Sequence, residues 1–123
     1  MKEMMLFMSI LAISCNSSDY NNGATNCTDI FVYGLNVTVK DSLANEILQE
    51  GVIVKAVDGI YEEILQNQES SSAVFVGAGE RAGNYVFTVS KPGYENYTSG
   101  VITLTADECH VIPKEVAVAL VAE

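Results

Sequence analysis

The feature that most constrains the fold of this chain is a stretch in which apolar side chains occupy every second position. Between residues 31 and 40 one face carries only apolar side chains: Phe31, Tyr33, Leu35, Val37 and Val39. The other face is mostly polar or small. Such a period of two, with aromatic and β-branched residues, is typical of a β-strand with one buried face. We therefore expect a strand whose odd-numbered residues point into a core.

Similar short runs recur along the rest of the chain. The further predicted strands are Val52–Val57, Tyr61–Leu65, Ala73–Val76, Asn84–Ser90, Tyr97–Thr105 and Val116–Val121. Asp58-Gly59 and Lys91-Pro92-Gly93-Tyr94 have the residue types of tight turns, and the glycine-rich residues 77–83 predict a tight loop entering a strand. Seven short strands separated by turn signals predict an all-β sandwich.

One segment, Asp41–Gly51, is ambiguous. Leu43, Ile47 and Leu48 fit one face of a helix, and Gly51 fits a helix stop. A connection between two strands of a hairpin fits equally well. We expect an irregular loop with at most one helical turn.

The N-terminal residues form an uncharged run, Met4–Ile13, preceded by Lys2. The run has the length of a signal-peptide core and is too short to span a bilayer. With Ser14 and Cys15 after it, it resembles a bacterial lipobox. This resemblance implies a cleaved signal helix over residues 1–14 and a diacylglycerol carried on Cys15 through a thioether. The rival interpretation is a buried amphipathic helix with a structural Cys15.

Residues 16–26 are polar, rich in Asn and Ser, and without an apolar period. This composition predicts a flexible tether over residues 15–26, between the membrane and one folded domain at residues 27–123. Ser17 rather than Asp follows Asn16, which resembles the pattern of lipoproteins sorted to the outer membrane. The expected location is therefore the bacterial cell envelope, lipid-anchored at the outer membrane.

Acidic residues dominate the charge. The 123 residues include 16 Asp and Glu against 6 Lys and Arg, which gives a formal net charge of −10. Such a chain repels phosphate backbones, so the charge argues against nucleic-acid binding. Solubility at a surface and a site for Ca²⁺ or a cationic partner both remain open.

Three stretches together resemble the carboxypeptidase regulatory-like domain, a transthyretin-type β-sandwich. They are Cys27-Thr28 leading into Val37-Thr38-Val39-Lys40-Asp41; Gly77 to Tyr85 (GAGERAGNY) with Lys91-Pro92-Gly93-Tyr94; and Asp107-Glu108-Cys109-His110-Val111. The resemblance covers about residues 27–120. It implies a seven-stranded Greek-key sandwich and says more about fold and location than about activity.

In such a sandwich the two edges could bring together Cys27, which precedes the first strand, and Cys109, which precedes the last. With Cys15 used for the lipid, an exported protein permits a Cys27–Cys109 disulfide. A metal site formed by Cys27, Cys109 and His110 lacks a fourth ligand and the usual paired spacing. Free thiols are the remaining alternative.

The sequence predicts no catalytic residues, no metal and no cofactor. His110 is the single imidazole and adjoins a cysteine expected to be oxidised, which disfavours nucleophilic hydrolysis. Glu62 and Glu63 point to opposite faces of a strand. The glycines of residues 77–83 fit neither a dinucleotide nor a phosphate-loop motif. A catalytic pair of distant carboxylates stays open.

The expected function is that of a membrane-anchored, non-catalytic interaction module. It would contact a protein or glycan through an edge strand or the loops Asp41–Glu50, Gln66–Ser72 and Lys91–Ser99. The alternatives are a purely structural accessory of the envelope and a regulator or inhibitor-like partner of a peptidase.

Three side chains in the resembling stretches have expected roles. Glu80 and Arg81 should fix their loop through hydrogen bonds or an ion pair. Tyr94 should pack over its turn or form part of a binding rim.

Overall fold

The computed structural model describes residues 27–68 and 73–123, and over these residues it consists of β-strands and loops without a helix. The strands are β1 (Tyr33–Asp41), β2 (Ile53–Asp58), β3 (Tyr61–Ile64), β4 (Val74–Gly79), β5 (Gly83–Ser90), β6 (Tyr97–Thr98), β7 (Ile102–Leu104) and β8 (Lys114–Leu120). The expected signal helix at residues 1–14 and the tether at residues 15–26 lie outside the described residues.

The strands form two sheets, which confirms the predicted all-β class. One sheet has the order β4-β1-β8, in which β1 is antiparallel to β4 and parallel to β8. The other has the order β3-β2-β5-β6, with β7 also paired to β5, and all of its pairings are antiparallel. Each sheet contributes alternate side chains to a shared core, as in two packed layers.

The core confirms the alternation that the sequence shows in β1 and β5. Its fully buried members are Leu35, Val37 and Val39 of β1, Val54 and Ala56 of β2, Ala78 of β4, and Tyr85, Phe87 and Val89 of β5. Burying one such side chain contributes about 1.5–3 kcal/mol for Val, Leu or Phe. The inward faces of β1 and β5 are therefore the main apolar surfaces that hold the two sheets together.

The prediction that the odd-numbered residues of the first strand point into the core is wrong at Phe31. Phe31 remains 61% exposed, and the regular alternation begins only at Leu35. Gly34 and Leu35 are consecutive buried residues. A Cβ at Gly34 would lie 2.6 Å from Leu104 Cδ1, so the backbone here fits closely against the core. From Leu35 onward the odd-numbered residues Leu35, Val37 and Val39 are the buried ones, as predicted.

The described residues form eight strands rather than the predicted seven, because the predicted strand Tyr97–Thr105 is interrupted. Ser99 donates its backbone N–H to Phe87 O, and its Oγ accepts the Phe87 N–H. The Ser99 hydroxyl thus replaces a backbone carbonyl as the acceptor of the Phe87 N–H. Regular pairing with β5 resumes only at Ile102.

The glycine-rich segment 77–79, predicted as a loop, is instead the end of β4. Leu35 pairs with Gly77, and Tyr33 pairs with Gly79. The side chain of Leu65 fills the space beside Gly77, and the Phe31 ring fills the space beside Gly79.

The ambiguous segment Asp41–Gly51 is an irregular loop that contains one turn. Asn45 donates its N–H to Asp41 O, and Asn45 has a positive φ of 61°. Lys40 and Ile47 then form an isolated antiparallel bridge. The loop therefore returns along the end of β1, as in a hairpin connection, and does not continue as a helix.

A disulfide joins Cys27 to Cys109 across a separation of 82 positions, with their Cα atoms 5.2 Å apart. It links the residues ahead of β1 to the loop ahead of β8. Because β1 and β8 are parallel neighbours, these two segments meet at one end of the molecule. The bond is compatible with the pairing expected from the sequence.

Candidate functional site

The molecule has two ends that differ in structure. The disulfide end contains Cys27, Cys109 and the start of β1; the opposite end, here called the cavity end, contains the last residues of β1, β5 and β8. The nine residues of β1 separate the two ends by roughly 26 Å at the usual rise per strand residue.

At the disulfide end, the carboxylate of Glu80 joins three segments. Its Oε2 accepts the Val32 N–H at 3.0 Å and lies 2.6 Å from His110 Nδ1, while Oε1 accepts the Val111 N–H at 3.1 Å. Burial by itself would raise the pKa of Glu80, but the hydrogen bonds from Val111, His110 and Val32 outweigh it and lower the pKa. Glu80 therefore fixes its loop as expected, through partners that are distant in sequence.

The other ring nitrogen of His110 reaches Thr28. The distance from His110 Nε2 to Thr28 Oγ1 is 3.1 Å. A hydroxyl, an imidazole and a carboxylate in this order is the arrangement with which hydrolases activate a nucleophile. Such catalysis also requires N–H donors for the oxyanion. The adjacent N–H groups of Cys109 and His110 both donate to Asp107 Oδ1 at 2.8 Å.

These contacts favour a structural role for the Thr28–His110–Glu80 array. Thr28 follows Cys27 and His110 follows Cys109, so their hydrogen bond lies beside the disulfide. The array and the disulfide together connect the segment before β1 to the loop before β8.

Arg81 forms a second cluster at the same end. Its Nη1 lies 2.9 Å from Asp58 Oδ2 and 2.9 Å from the hydroxyl of Tyr85. Tyr85 is fully buried and donates its hydroxyl hydrogen to Arg81 O, so its one polar side-chain atom is satisfied. The guanidinium carbon lies 3.7 Å from the ring centroid of Tyr61, at cation–π distance.

Glu62 and Glu63 point in different directions, as predicted. Glu63 Oε1 accepts the Tyr61 hydroxyl at 2.8 Å and the Ala78 N–H at 2.9 Å, which links the two sheets. Glu62 instead forms an exposed ion pair with Lys55. The hydrogen bond to Glu63, together with burial, raises the pKa of Tyr61 to about 12.

The cavity end carries a wide-mouthed cavity of about 410 Å³. Its lining comes from three separated parts of the chain: Gly51 and Ile53; Ser90, Lys91, Pro92, Gly93, Tyr94 and Asn96; and Glu123. This volume lies in the range of small-molecule sites, although the cavity is open on one side. It contains part of the predicted contact loop Lys91–Ser99.

Tyr94 is held in place at this cavity. Its hydroxyl donates to Asp41 Oδ2 at 2.6 Å, and Asp41 Oδ1 accepts the N–H groups of Leu43 and Ala44 at 2.8 Å. These three bonds, led by that from Tyr94, lower the pKa of Asp41. The same hydrogen bond raises the pKa of Tyr94. Tyr94 packs against the core and lines the cavity, and its expected part in a binding rim stays a prediction.

The polar groups of the cavity are mixed in sign and type. Lys91 and Glu123 contribute opposite charges, while Ser90 and Asn96 contribute groups that both donate and accept hydrogen bonds. Lys91 Nζ also donates to Glu50 O at 2.5 Å, which holds the loop before β2 against the β5–β6 turn. Ile53 provides an apolar surface that is 51% exposed.

The remaining predicted site residues have different outcomes. Cys15 lies outside the described residues, as do residues 69–72 of the predicted loop Gln66–Ser72. Within residues 27–68 and 73–123, no group of three or more His, Cys, Asp or Glu side chains has a metal-binding arrangement. Over the same residues, no helix has the length and apolar character needed to cross a membrane.

Sequence reasoning missed Ile53, Ser90 and Glu123 as cavity residues. Ile53 and Ser90 were assigned to strands next to the contact loops, and Glu123 is distant from all of these loops along the chain. One signal was available for Ile53, a large apolar side chain on the outward face of a strand that alternates Val52, Val54 and Ala56 inward.

No family model matches the chain, and no curated protein is similar to it.

Proposed function

We propose that this chain is a lipid-anchored protein of the bacterial cell envelope that acts as a non-catalytic binding module. The proposal includes a signal peptide over residues 1–14, a lipidated Cys15, a tether to residue 26 and an outer-membrane location. The domain at residues 27–123 is proposed to be a Greek-key sandwich of the carboxypeptidase regulatory-like, transthyretin type. The two-sheet architecture and the Cys27–Cys109 bond support this fold.

One observation supports the binding role above the others. The cavity lies at the end of the molecule opposite Cys27, where a tether would join the domain. A domain anchored through residue 15 would thus present its cavity away from the point of attachment. The polar clusters of the disulfide end, by contrast, already have partners within the chain.

The anchor is tested by intact-mass measurement of the protein purified from the envelope. The expected N-terminus is Cys15 with a mass increment of a diacylglycerol and an acyl chain, and Cys15→Ser should abolish both the increment and membrane association. An unacylated chain that retains Met1 would contradict the anchor.

The binding role is tested by following backbone amide signals of the full exported chain by NMR during ligand screening. A binding module should show shifts at Tyr94 and Asn96, with the exposed turn residue Ile60 at the other end as internal reference. Ligand-induced shifts confined to the disulfide end would refute the assignment of the cavity. Absence of any shift would favour a purely structural accessory.

A further inference from the structure

We infer that the cavity at the end opposite the disulfide accommodates a neutral, polyhydroxylated ligand, namely a segment of a glycan chain. This inference rests on the proposed binding role and specifies its ligand class. The charge, the hydrogen-bonding groups and the shape of the cavity lining each favour such a ligand.

The lining charges favour a neutral ligand. Among the described residues that line the cavity, two carry a charge, Lys91 and Glu123, and their charges are opposite. A strongly anionic ligand would meet Glu123, and a strongly cationic one would meet Lys91. A ligand without charge can contact both residues without bringing like charges together.

The hydrogen-bonding groups favour hydroxyls. The ammonium of Lys91 donates, the carboxylate of Glu123 accepts, and the side chains of Ser90 and Asn96 do both. A sugar hydroxyl also donates and accepts, so neighbouring hydroxyls of one ring can satisfy such an alternating set. An apolar ligand would leave these groups without partners as it displaced water from them.

The apolar parts of the lining suit the C–H faces of a sugar ring. Tyr94 is fixed through its hydroxyl bond to Asp41, so little side-chain entropy remains to be lost when a ligand packs on it. Ile53 and Pro92 add exposed apolar surface beside it. Gly93 has open space where a side chain would lie, which keeps the mouth of the cavity wide. A wide mouth suits a chain that continues beyond the site on either side.

The test is titration of the full exported chain with a panel of neutral linear oligosaccharides that covers the common α- and β-linkages. A lysine-rich peptide and a glutamate-rich peptide are titrated in parallel. We expect at least one oligosaccharide to shift the amide signals of Tyr94 and Asn96. Its affinity should be the same at low and high salt, because a neutral ligand carries no charge that salt could screen.

Variants then locate the contacts. Asn96→Ala should weaken oligosaccharide binding roughly three- to tenfold through loss of hydrogen bonds, and Tyr94→Ala roughly tenfold or more through loss of the aromatic surface. Tyr94→Phe keeps the ring and should bind more tightly than Tyr94→Ala. Ile60→Ala, on the exposed turn at the disulfide end, is the matched control and should bind as the unaltered chain does.

The outcomes separate the ligand class from the binding role. Salt-dependent binding of a charged peptide at Tyr94 and Asn96, with no oligosaccharide binding, would overturn the glycan inference and leave the binding role intact. If no ligand of any class shifts these signals, both are wrong. Oligosaccharide binding that Asn96→Ala and Tyr94→Ala leave unchanged would also overturn the inference, because the contacts would lie elsewhere.

Discussion

His110 Nδ1 and Glu80 Oε2 lie 2.6 Å apart, although 30 positions separate the two residues. Because the Glu80 carboxylate also accepts two backbone N–H groups, replacement by glutamine should leave at least one of these donors without an acceptor. We expect Glu80→Gln to lower the melting temperature clearly. The exposed Glu62→Gln is the control and should change it little; equal effects of the two variants would contradict the role of Glu80.

The Cys27–Cys109 disulfide should contribute strongly to stability. For a loop of 82 positions the chain-entropy relation gives about 4–5 kcal/mol. The double variant with Cys27→Ser and Cys109→Ser should lose free energy of unfolding on this scale in denaturant titrations. Adding reductant should destabilise the unaltered chain by a similar amount and leave the double variant unaffected. A loss below 1 kcal/mol would show that the chain closes this end without the bond.

The fully buried Phe87 provides a test of the core. Phe87→Ala should cost about 3–5 kcal/mol of the free energy of unfolding, because it leaves a void between the sheets. Val101→Ala removes apolar atoms from a side chain that is 67% exposed and should change stability by about 0.5 kcal/mol or less. Similar losses for the two variants would be inconsistent with this core.

Above pH 10, stability should depend on Tyr61. Its pKa in the folded chain is about 12, above the ordinary value of 10.0, so the favourable contribution of the neutral phenol is complete below pH 10. It is lost as pH rises toward 12, because the phenolate can no longer donate to Glu63. Tyr61→Phe should flatten this alkaline fall in unfolding midpoints. An unchanged alkaline profile would contradict the contribution of Tyr61.

In acid, stability should depend on Asp41. Its pKa in the folded chain lies below the ordinary value of 3.8, so its contribution is present above that pH and is lost as pH falls through the folded value. Tyr94→Phe removes the hydrogen bond that contributes most to this shift. The acid limb of the stability profile should therefore become shallower in this variant, and two-dimensional NMR should report a higher pKa for Asp41.

The sequence predicted the fold best where burial is set by local alternation. The inward residues of β1 beyond Leu35 and those of β5 follow directly from a period of two. The prediction of a loop failed at Gly77 and Gly79. These glycines lie in a strand, where the missing side chains leave room for Leu65 and Phe31. Prediction from the sequence failed again at Ser99, where one side chain replaces a ladder partner.

The candidate site was only partly predictable for a related reason. The Lys91–Ser99 loop has turn residues that mark it locally, so it was expected to contribute contacts. Ile53 and Glu123 reach the cavity through the pairing of β2 with β5 and the bridge of Ala122 with Tyr94. Such pairings depend on sheet order, which periodicity alone does not determine. The Glu80–His110 contact could not be predicted from the sequence for the same reason.

The parallel alignment of β1 and β8, closed by a covalent bond ahead of both strands, has a mechanical consequence. A pull on the chain ahead of Cys27 reaches the loop before β8 through the Cys27–Cys109 bond as well as β1 through the backbone. The pulling force is shared between two adjacent strands, so it does not act on the pairing of β1 alone. Reduction of the disulfide removes this covalent sharing and leaves β1 to bear the force first.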